Sequence, residues 1–315
     1  MKSSTENSLY ARRYQRYSWL VLAVNIAVIL WGAFVRATGS GAGCGGNWPL
    51  CNGDVIPLSR TAETLIEYTH RITSGAALIV TLALVPLARR FPQRARVRKA
   101  ALASGVFIII EALIGAGLVL FDLVGGNTSS MRAFASAVHL SNTYLLVGAI
   151  TLTAVWARTE RDRYRPPGMG SWILIGLALI GMVAVGATGA ITALGDTLFP
   201  AASLAAGITE ELVPTSHFLV RLRVVHPVIA ITLSTYLLFG LRLNWFADEI
   251  GQSGSRLRVL TVLIVLQLVA GAINVVLLAP IWMQILHLFI ADMIWIVFIL
   301  YLERRIYAAS LPTNP

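Results

Sequence analysis

The sequence predicts an all-α integral membrane protein with eight transmembrane helices, arranged as two pseudo-symmetric four-helix bundles with both termini in the cytoplasm. Three observations lead to this prediction: the composition, the spacing of apolar runs and an internal repeat. Of the 315 residues, 57% are hydrophobic and only 13% are charged, and the mean hydropathy is +0.73. A chain of this size with so few charged residues needs lipid as its solvent.

The apolar runs each have the length of about 20 residues that a helix needs to cross the hydrocarbon layer. The first run follows a polar amino-terminal segment that is too long for a signal peptide, so we expect it to be retained. The last two runs are separated only by Ala279-Pro280, where the proline predicts a reversal of the chain. In chain order the predicted spans are Tyr17–Ala37, Leu65–Ala88, Ala100–Phe121, Arg132–Trp156, Trp172–Leu194, His217–Leu241, Arg258–Leu278 and Ile281–Leu302.

The 25 Lys and Arg residues predict the orientation in the membrane. Most of them precede span one or follow spans two, four, six and eight, and the positive-inside rule makes this side cytoplasmic. The net charge of +10 therefore reflects topology, and we exclude a nucleic-acid partner. The other cations lie at or near the opposite, outer face: Arg36, Arg60, Arg71, Arg132, Arg221 and Arg223.

Four of the five histidines lie one or two turns inside the outer ends of the even-numbered spans: His70, His139, His226 and His287. A haem has propionates that prefer water and cations, and a porphyrin body that prefers an apolar slot between helices. We therefore predict that these histidines ligate the iron of two haems, close to the outer face of the cell membrane. The alternative is that they only form hydrogen bonds between helices. The fifth, His217, is predicted to be interfacial.

The two halves of the chain also resemble each other, and equivalent residues recur at nearly constant offsets. The pairs are His70 with His226, His139 with His287, Gly115 with Gly271, Glu111 with Gln267, and Thr38-Gly39 with Thr188-Gly189. The repeat predicts two domains, residues 1–165 and 166–315, each a four-helix bundle with a histidine on its second and fourth helices. Two bundles imply two haem sites.

The loop after span one contains the only two cysteines, Cys44 and Cys51. Because this loop lies on the outer, oxidising side, we predict a disulfide between them. Two roles stay open for that bond. It either staples a glycine-rich loop or takes part in redox or haem-handling chemistry.

Glu67 lies three residues before His70 on the same helix face, and Arg71 follows that histidine directly. Our hypothesis is that Glu67 acts at the reacting edge of a haem, by positioning water, accepting a proton or stabilising a cationic intermediate. The alternative is that Glu67 only pairs with Arg71 or a nearby arginine. The predicted propionate-binding cations are Arg36, Arg71, Arg221 and Arg223. Glu111 and Asp292 are further acids within the spans, and the sequence assigns them no role.

The outer loop from Thr38 to Cys51, the Glu-x-x-His-Arg motif and the other three histidines together resemble the haem A synthase family over nearly the whole chain. The resemblance implies that the protein oxidises the C8 methyl of haem O to a formyl group through successive hydroxylations. It implies that His70 and His139 flank the substrate haem O, and that His226 and His287 ligate a haem b that relays electrons. In the second half, Arg223 stands at the position equivalent to Glu67, so only the first bundle has a carboxylate there. A further difference is that Pro227 directly follows His226.

The implied partners are haem O, membrane lipid, an electron-transfer protein and haem O synthase, and a homo-oligomer stays open. A second function fits the same histidines: a dihaem b-type electron carrier, such as a quinol-linked cytochrome or a ferric reductase. That function has no need of Glu67 or of the cysteine loop. A transporter is less favoured, because two halves with the same orientation and fixed ligand spacing suit resident cofactors better than alternating access.

Overall fold

The structure is a computed structural model that describes residues 4–58, 61–91, 94–158, 168–242 and 254–306. Within these residues it is all-helical, with short 3-10 turns at Ser40–Ala42 and Leu222–Val224 and no β-strand. The helices are α1 (Ser4–Ala37), α2 (Ala62–Leu82), α3 (Leu84–Ala88), α4 (Ala95–Leu120), α5 (Ser130–Trp156), α6 (Met169–Leu198), α7 (Leu204–Leu212), α8 (Phe218–Arg221), α9 (Val225–Arg242), α10 (Gly254–Val276) and α11 (Ile281–Ile306).

Eight stretches of helix are long and apolar enough to cross a membrane. They are Ser8–Ala37, Ala62–Ala88, Ala95–Leu120, Ser130–Trp156, Met169–Leu198, Phe218–Leu241, Ser255–Val276 and Ile281–Ile306. Each overlaps one predicted span, so the prediction of an all-α protein with eight spans is confirmed for the described residues. The sidedness of the termini stays a prediction, and the predicted domain boundary between residues 165 and 166 lies outside the described residues.

Helix α5 lies at the centre of the molecule and packs against α1, α4, α6 and α11. It is the most buried span, with 61% of its apolar window inside the protein. At its contact with α11, Gly148 faces the indole of Trp295, and Trp295 Nε1 donates a hydrogen bond of 2.7 Å to the backbone oxygen of Tyr144. A buried indole N–H with a partner and a glycine in the facing helix allow this close approach.

The two halves differ in how their four long helices close. In the first half, α1, α2, α4 and α5 pack in a complete ring. In the second half, α6 packs on α9, α9 on α10 and α10 on α11, but the described parts of α6 and α11 form no comparable contact, and α5 packs against both. Gly186 of α6 lies directly under the ring of Tyr144, which leaves room for α5. The second bundle is therefore completed by a helix of the first, a departure from two like bundles.

Prolines account for the breaks in the second and sixth spans. The second span is interrupted at Ala83, three residues before Pro86, where α2 gives way to α3. The sixth changes to a 3-10 turn at Leu222–Val224, just before Pro227, because proline lacks the N–H for the helical ladder and its ring crowds the preceding turn.

The predicted reversal at Ala279-Pro280 is present. Leu278 and Ala279 adopt left-handed backbone angles, with φ values of 59° and 53°. The N–H of Ala279 donates to the backbone oxygen of Asn274, and the backbone oxygen of Pro280 accepts from Met283 at the start of α11. These bonds satisfy polar groups at the two helix ends, so the chain can turn between two spans without unpaired backbone.

Candidate functional site: two histidine pairs at one end of the bundle

All four predicted ligand histidines lie at the end of the molecule that carries the Cys44–Cys51 loop. Arg36, at the end of α1, joins three helices there. Its guanidinium donates to the backbone oxygen of Ala193 at 2.6 Å, to Thr197 Oγ1 at 2.8 Å and to Gln284 Oε1 at 2.9 Å. The last turns of α1 and α6 and the first turn of α11 therefore share one level.

Each of these histidines rests its imidazole on a glycine of the preceding long helix. The pairs are Gly32 with His70, Gly115 with His139, Gly189 with His226, and Gly271 with His287. A β-carbon on Gly32 would lie 2.9 Å from His70 Cε1, and one on Gly271 would lie 3.2 Å from His287 Cε1. Neither position accepts a larger side chain unless the ring moves, so the glycines fix where the imidazoles lie.

The glycine contacts correct one correspondence in the repeat. Gly189 lies inside α6 against His226, and the residue that makes the same contact in the first half is Gly32, not Gly39. Gly39 instead lies beyond the end of α1 with a left-handed φ of 70° and has no side chain near it. The expected pairing of Thr38-Gly39 with Thr188-Gly189 was therefore wrong by about two turns, because both are Thr-Gly pairs near a helix end.

In the first half, His70 and His139 have buried Nδ1 atoms with no hydrogen bond of ordinary geometry. The acceptor near His139 Nδ1 is Glu111 Oε1, at 3.3 Å. In the second half, the rings of His226 and His287 have centroids 6.2 Å apart and are nearly perpendicular, at 81°. Two imidazoles on opposite faces of one metal, each nitrogen about 2 Å from it, have centroids on the order of 6 Å apart.

These observations fit a haem between the two histidines of a pair. Buried ring nitrogens without partners are rare, and a ligated iron is one way to occupy them. In the part of the chain that the structure describes, no group of three or more His, Cys, Asp or Glu side chains is arranged so that it could hold a metal ion by itself. A haem iron needs only two protein ligands, because the porphyrin supplies the others. The donor set is therefore one that suits haem.

Other polar groups support the two pairs. Thr188 Oγ1 lies 3.3 Å from His226 Nδ1, and Gln267 Nε2 lies 3.1 Å from His287 Nε2. Glu111 also accepts hydrogen bonds from Asn142 Nδ2 and Thr143 Oγ1, both at 2.5 Å. Glu111 and Gln267, equivalent in the repeat, therefore each lie beside the histidine of the fourth helix of their half, Glu111 at Nδ1 of His139 and Gln267 at Nε2 of His287.

Glu67 is buried, with 3% of its surface exposed, and both of its oxygens have partners. Oε1 accepts from Arg71 Nη2 at 2.5 Å, and Oε2 accepts from the backbone N–H of Cys44 at 2.8 Å. The pairing with Arg71 is the alternative that the sequence left open. A chemical role for Glu67 stays a hypothesis. In any such role the same carboxylate would also hold the loop, through its bond to the Cys44 N–H.

Arg71 holds the outer loop from inside the bundle. Its Nη1 donates to the backbone oxygens of Asn47 and Leu50, each at 2.5 Å. Cys44 and Cys51 are joined by a disulfide within the same loop, and both are buried. The hydrogen bonds of Glu67 and Arg71 therefore tie the loop to helix α2, within one helical turn of His70.

The arginines predicted to bind propionates already have protein acceptors. Arg223 forms an ion pair of 3.0 Å with Asp196 and donates to the backbone oxygens of Gly195 and Phe199. Arg221 donates to the backbone oxygen of Pro214. Arg36 and Arg71 donate to the acceptors described above. Any propionate contact made by these four residues has to use N–H groups that these bonds leave over.

Two further residues lie apart from the histidine pairs. Asp292 is fully buried in α11, and neither of its carboxylate oxygens has a hydrogen-bond partner among the described residues. His217 caps the start of α8, where its Nδ1 accepts from the backbone N–H of Leu219, and its ring packs between Phe199 and Phe218. The interfacial role of His217 stays a prediction. Arg60 lies outside the described residues.

The sequence reasoning missed Gly32, Asn142, Thr143 and the contacts of Glu111 and Gln267. A glycine within an apolar run gives no signal by itself, because its role depends on how the neighbouring helix is rotated. The repeat did contain a usable signal, since Gly32 and Gly189 are offset by nearly the same number of residues as the other equivalent pairs.

Comparison with known proteins gives a family. The family model described as "Cytochrome oxidase assembly protein", COX15-CtaA, matches residues 15–299. The chain belongs to the COX15-CtaA family. The resemblance to haem A synthases seen in the sequence is thereby confirmed at the level of the family.

The relatives to which the chain is similar carry two different names. A protein of Thermus thermophilus named "Protoheme IX farnesyltransferase" is 46% identical over 295 residues, which are 91% of this chain and 47% of that protein. "Heme A synthase" of Bacillus mycoides is 42% identical over 137 residues, 40% of this chain and 44% of that protein. The chain thus spans about half the length of the curated relatives it matches.

Proposed function

We propose that this COX15-CtaA family protein acts in haem A biosynthesis as a haem A synthase, oxidising the C8 methyl of haem O to a formyl group through successive hydroxylations. The observation that carries the proposal is the arrangement of two histidine pairs at one end, each ring against a glycine, with a carboxylate network beside the first pair only. Two haem sites with different surroundings suit one substrate and one resident cofactor.

In the first half, the proposed ligands of substrate haem O are His70 and His139. Gly32 and Gly115 hold the two rings in position, so that the substrate iron is fixed relative to the helices. Fixing the iron also fixes the porphyrin edge that carries the reacting methyl group, and correct placement is a large part of catalysis. The surrounding apolar spans exclude bulk water from that edge.

In the second half, the proposed cofactor is haem b, held by His226 and His287. When bound, haem b supplies one-electron transfer. Thr188 orients the ring of His226 through Nδ1, and Gln267 contacts His287. Arg223 pairs with Asp196 at the same end.

Glu67 is proposed to serve both the loop and the chemistry. Its carboxylate lies one helical turn before His70, bonded to Arg71 and to the Cys44 N–H. A carboxylate in such a place can position a water molecule or accept a proton at the substrate edge. Because Glu67 also accepts from the Cys44 N–H, its position depends on the loop that the Cys44–Cys51 disulfide closes.

We further propose that the protein resides in the cell membrane with both termini in the cytoplasm and the haem sites toward the outer face. The distribution of basic residues supports this orientation. Residues 1–165 and 166–315 are proposed as the substrate and haem b domains. The contact of α5 with α6 and α11 makes these two domains one packed unit.

A functional link with farnesyl transfer is proposed from the Thermus thermophilus relative. About half of that relative is not aligned with this chain. Farnesyl transfer to protohaem gives the farnesylated haem that a haem A synthase consumes. We therefore propose that the enzyme making haem O is a partner that hands over the substrate.

The test is mass spectrometry of haems extracted from the full-length protein, expressed in a host that supplies haem O. Haem A or hydroxylated haem O, absent from a His70→Ala control, is the expected result. Only unmodified haem, despite available haem O and a competent electron donor, would favour the dihaem electron carrier. A farnesylated product made from protohaem and farnesyl diphosphate would instead assign the transferase activity to this chain.

A further inference from the structure

We propose that Glu111 is a positioning residue for His139, which makes the first haem site carboxylate-supported, while the equivalent residue of the second half is an uncharged amide. The inference rests on the proposed function, because it takes His139 as an iron ligand. It goes beyond that function by assigning a role to a partly buried acid that the haem pairs do not by themselves require.

The geometry begins with the carboxylate itself. Glu111 Oε2 accepts from Asn142 Nδ2 and Oε1 accepts from Thr143 Oγ1, both at 2.5 Å. Asn142 and Thr143 are buried on α5, directly after the turn that carries His139. Both oxygens of Glu111 are thus held by donors, which fixes the plane of the carboxylate on α4 against α5.

The fixed carboxylate lies beside one nitrogen of the ligand ring. Glu111 Oε1 is 3.3 Å from His139 Nδ1, and that nitrogen makes no hydrogen bond of ordinary geometry. A small rotation of the imidazole, which is 30% exposed, directs the N–H at the carboxylate. Nδ1 then carries the proton and Nε2 is left for the iron. Such a contact fixes the tautomer of a metal-bound histidine and makes it a stronger donor.

The second half offers a built-in comparison. Gln267 occupies the equivalent position on α10, but its Nε2 lies 3.1 Å from His287 Nε2, so an iron bound at that nitrogen would replace this contact. An amide also carries no charge, so it does not raise the electron density on the iron as a carboxylate does. The difference makes the iron at the first site easier to keep oxidised than the iron at the second. This ordering suits a first site where oxidation takes place and a second site that relays electrons.

The experiment is a spectroelectrochemical titration of the full-length protein carrying both haems, for wild type, Glu111→Gln and the reciprocal Gln267→Glu. A His139→Ala variant identifies the first-site component as the one that it removes. Glu111→Gln is expected to raise the midpoint potential of that component and to weaken haem retention there by on the order of ten-fold. Gln267→Glu is expected to lower the potential of the other component only.

Thr143→Val provides a second variant that keeps the charge of Glu111 and removes one of its anchors. It is expected to move the first-site potential in the same direction as Glu111→Gln, but by less. Unchanged potentials in Glu111→Gln, with haem loss in His139→Ala, would overturn the role of Glu111 and leave the proposed function intact. Full haem retention in His139→Ala would overturn both. Equal shifts of both components in Glu111→Gln would show a general structural effect and would also overturn the role.

Discussion

The two histidine pairs occupy equivalent places in the repeat but have different polar surroundings. In both, an imidazole packs on a glycine, and this contact occurs four times. Around the first pair lie Glu67, Arg71 and Glu111, whereas the second pair has Thr188 and Gln267 as neutral neighbours. At one position the sign of the charge is reversed, since Arg223 stands where the first half has Glu67. The repeat therefore keeps the shape of the proposed haem slot and changes its electrostatics, as the two proposed tasks require.

The largest expected effect is steric and tests whether the two slots are independent. Gly32→Leu places a side chain where even a β-carbon would be 2.9 Å from His70, so the ring has to move. We expect loss of haem O binding and of haem A formation to below detection, with haem b retained. Gly189→Leu is expected to remove haem b instead. The measurement is haem content by absorbance and mass spectrometry.

Gly75→Ala is the matched control, because Gly75 lies on the same helix as His70 and a β-carbon there meets no other atom within 4 Å. It is expected to leave both haems in place and to stabilise α2 by about 0.5 kcal/mol. Loss of both haems in Gly32→Leu would contradict independent slots. It would instead indicate that the bundle as a whole fails to fold.

How much of the difference between the two histidine pairs can be predicted from sequence depends on the residue. The histidines could be found because charge, depth and repeat all point to them. Gly32 gives a signal only through its offset from Gly189 in the repeat, and its contact with His70 depends on how α1 and α2 are rotated against each other. The 3-10 turn before Pro227 follows from the backbone chemistry of proline.

The outer loop shows a second limit. Its cysteines predicted a disulfide, but the contact of Glu67 with the Cys44 N–H depends on a loop path that no local pattern specifies. That path uses left-handed glycines at 39, 45 and 53 and brings Arg71 under the loop carbonyls. The sequence offered pairing or catalysis for Glu67 as alternatives, whereas the geometry allows one carboxylate to do both.

The next effect separates these two roles of Glu67. Glu67→Gln keeps an acceptor for the Cys44 N–H but removes the negative charge, and we expect haem A formation to fall by about 100-fold with haem O still bound. Arg71→Gln releases the loop and leaves the carboxylate. Turnover and haem content of both variants are compared with wild type. A wild-type rate in Glu67→Gln would limit this residue to holding the loop.

A smaller effect is expected from the disulfide. Replacing Cys44 and Cys51 by serine opens a short closed loop, with a loss of about 2 kcal/mol in the free energy of unfolding. Because the loop is bonded to α2 through Glu67 and Arg71, haem O affinity is expected to fall while the haem b spectrum stays unchanged. Thermal unfolding followed at the haem b absorbance, together with haem O titration, measures both. An altered haem b spectrum would mean that the loop supports both sites.

The smallest effect is expected at the centre, where the two halves meet. Asp292 and Tyr144 each follow a proposed ligand histidine by the same number of residues and lie close enough to interact electrostatically. An ionised carboxylate without a partner would cost several kcal/mol in such a place, so we expect Asp292 to be neutral. Asp292→Asn then exchanges two neutral groups of similar size and is expected to change the free energy of unfolding by about 1 kcal/mol or less.

Asp196→Asn provides the contrast for Asp292, because Asp196 does have a cationic partner, Arg223, at 3.0 Å. Removing that charge leaves a buried guanidinium unpaired, and a loss of about 1–3 kcal/mol is expected, with part of the interaction screened by solvent. Unfolding of both variants in the same detergent compares the two acids directly. If Asp292→Asn costs as much as Asp196→Asn, Asp292 is not the neutral group that we expect.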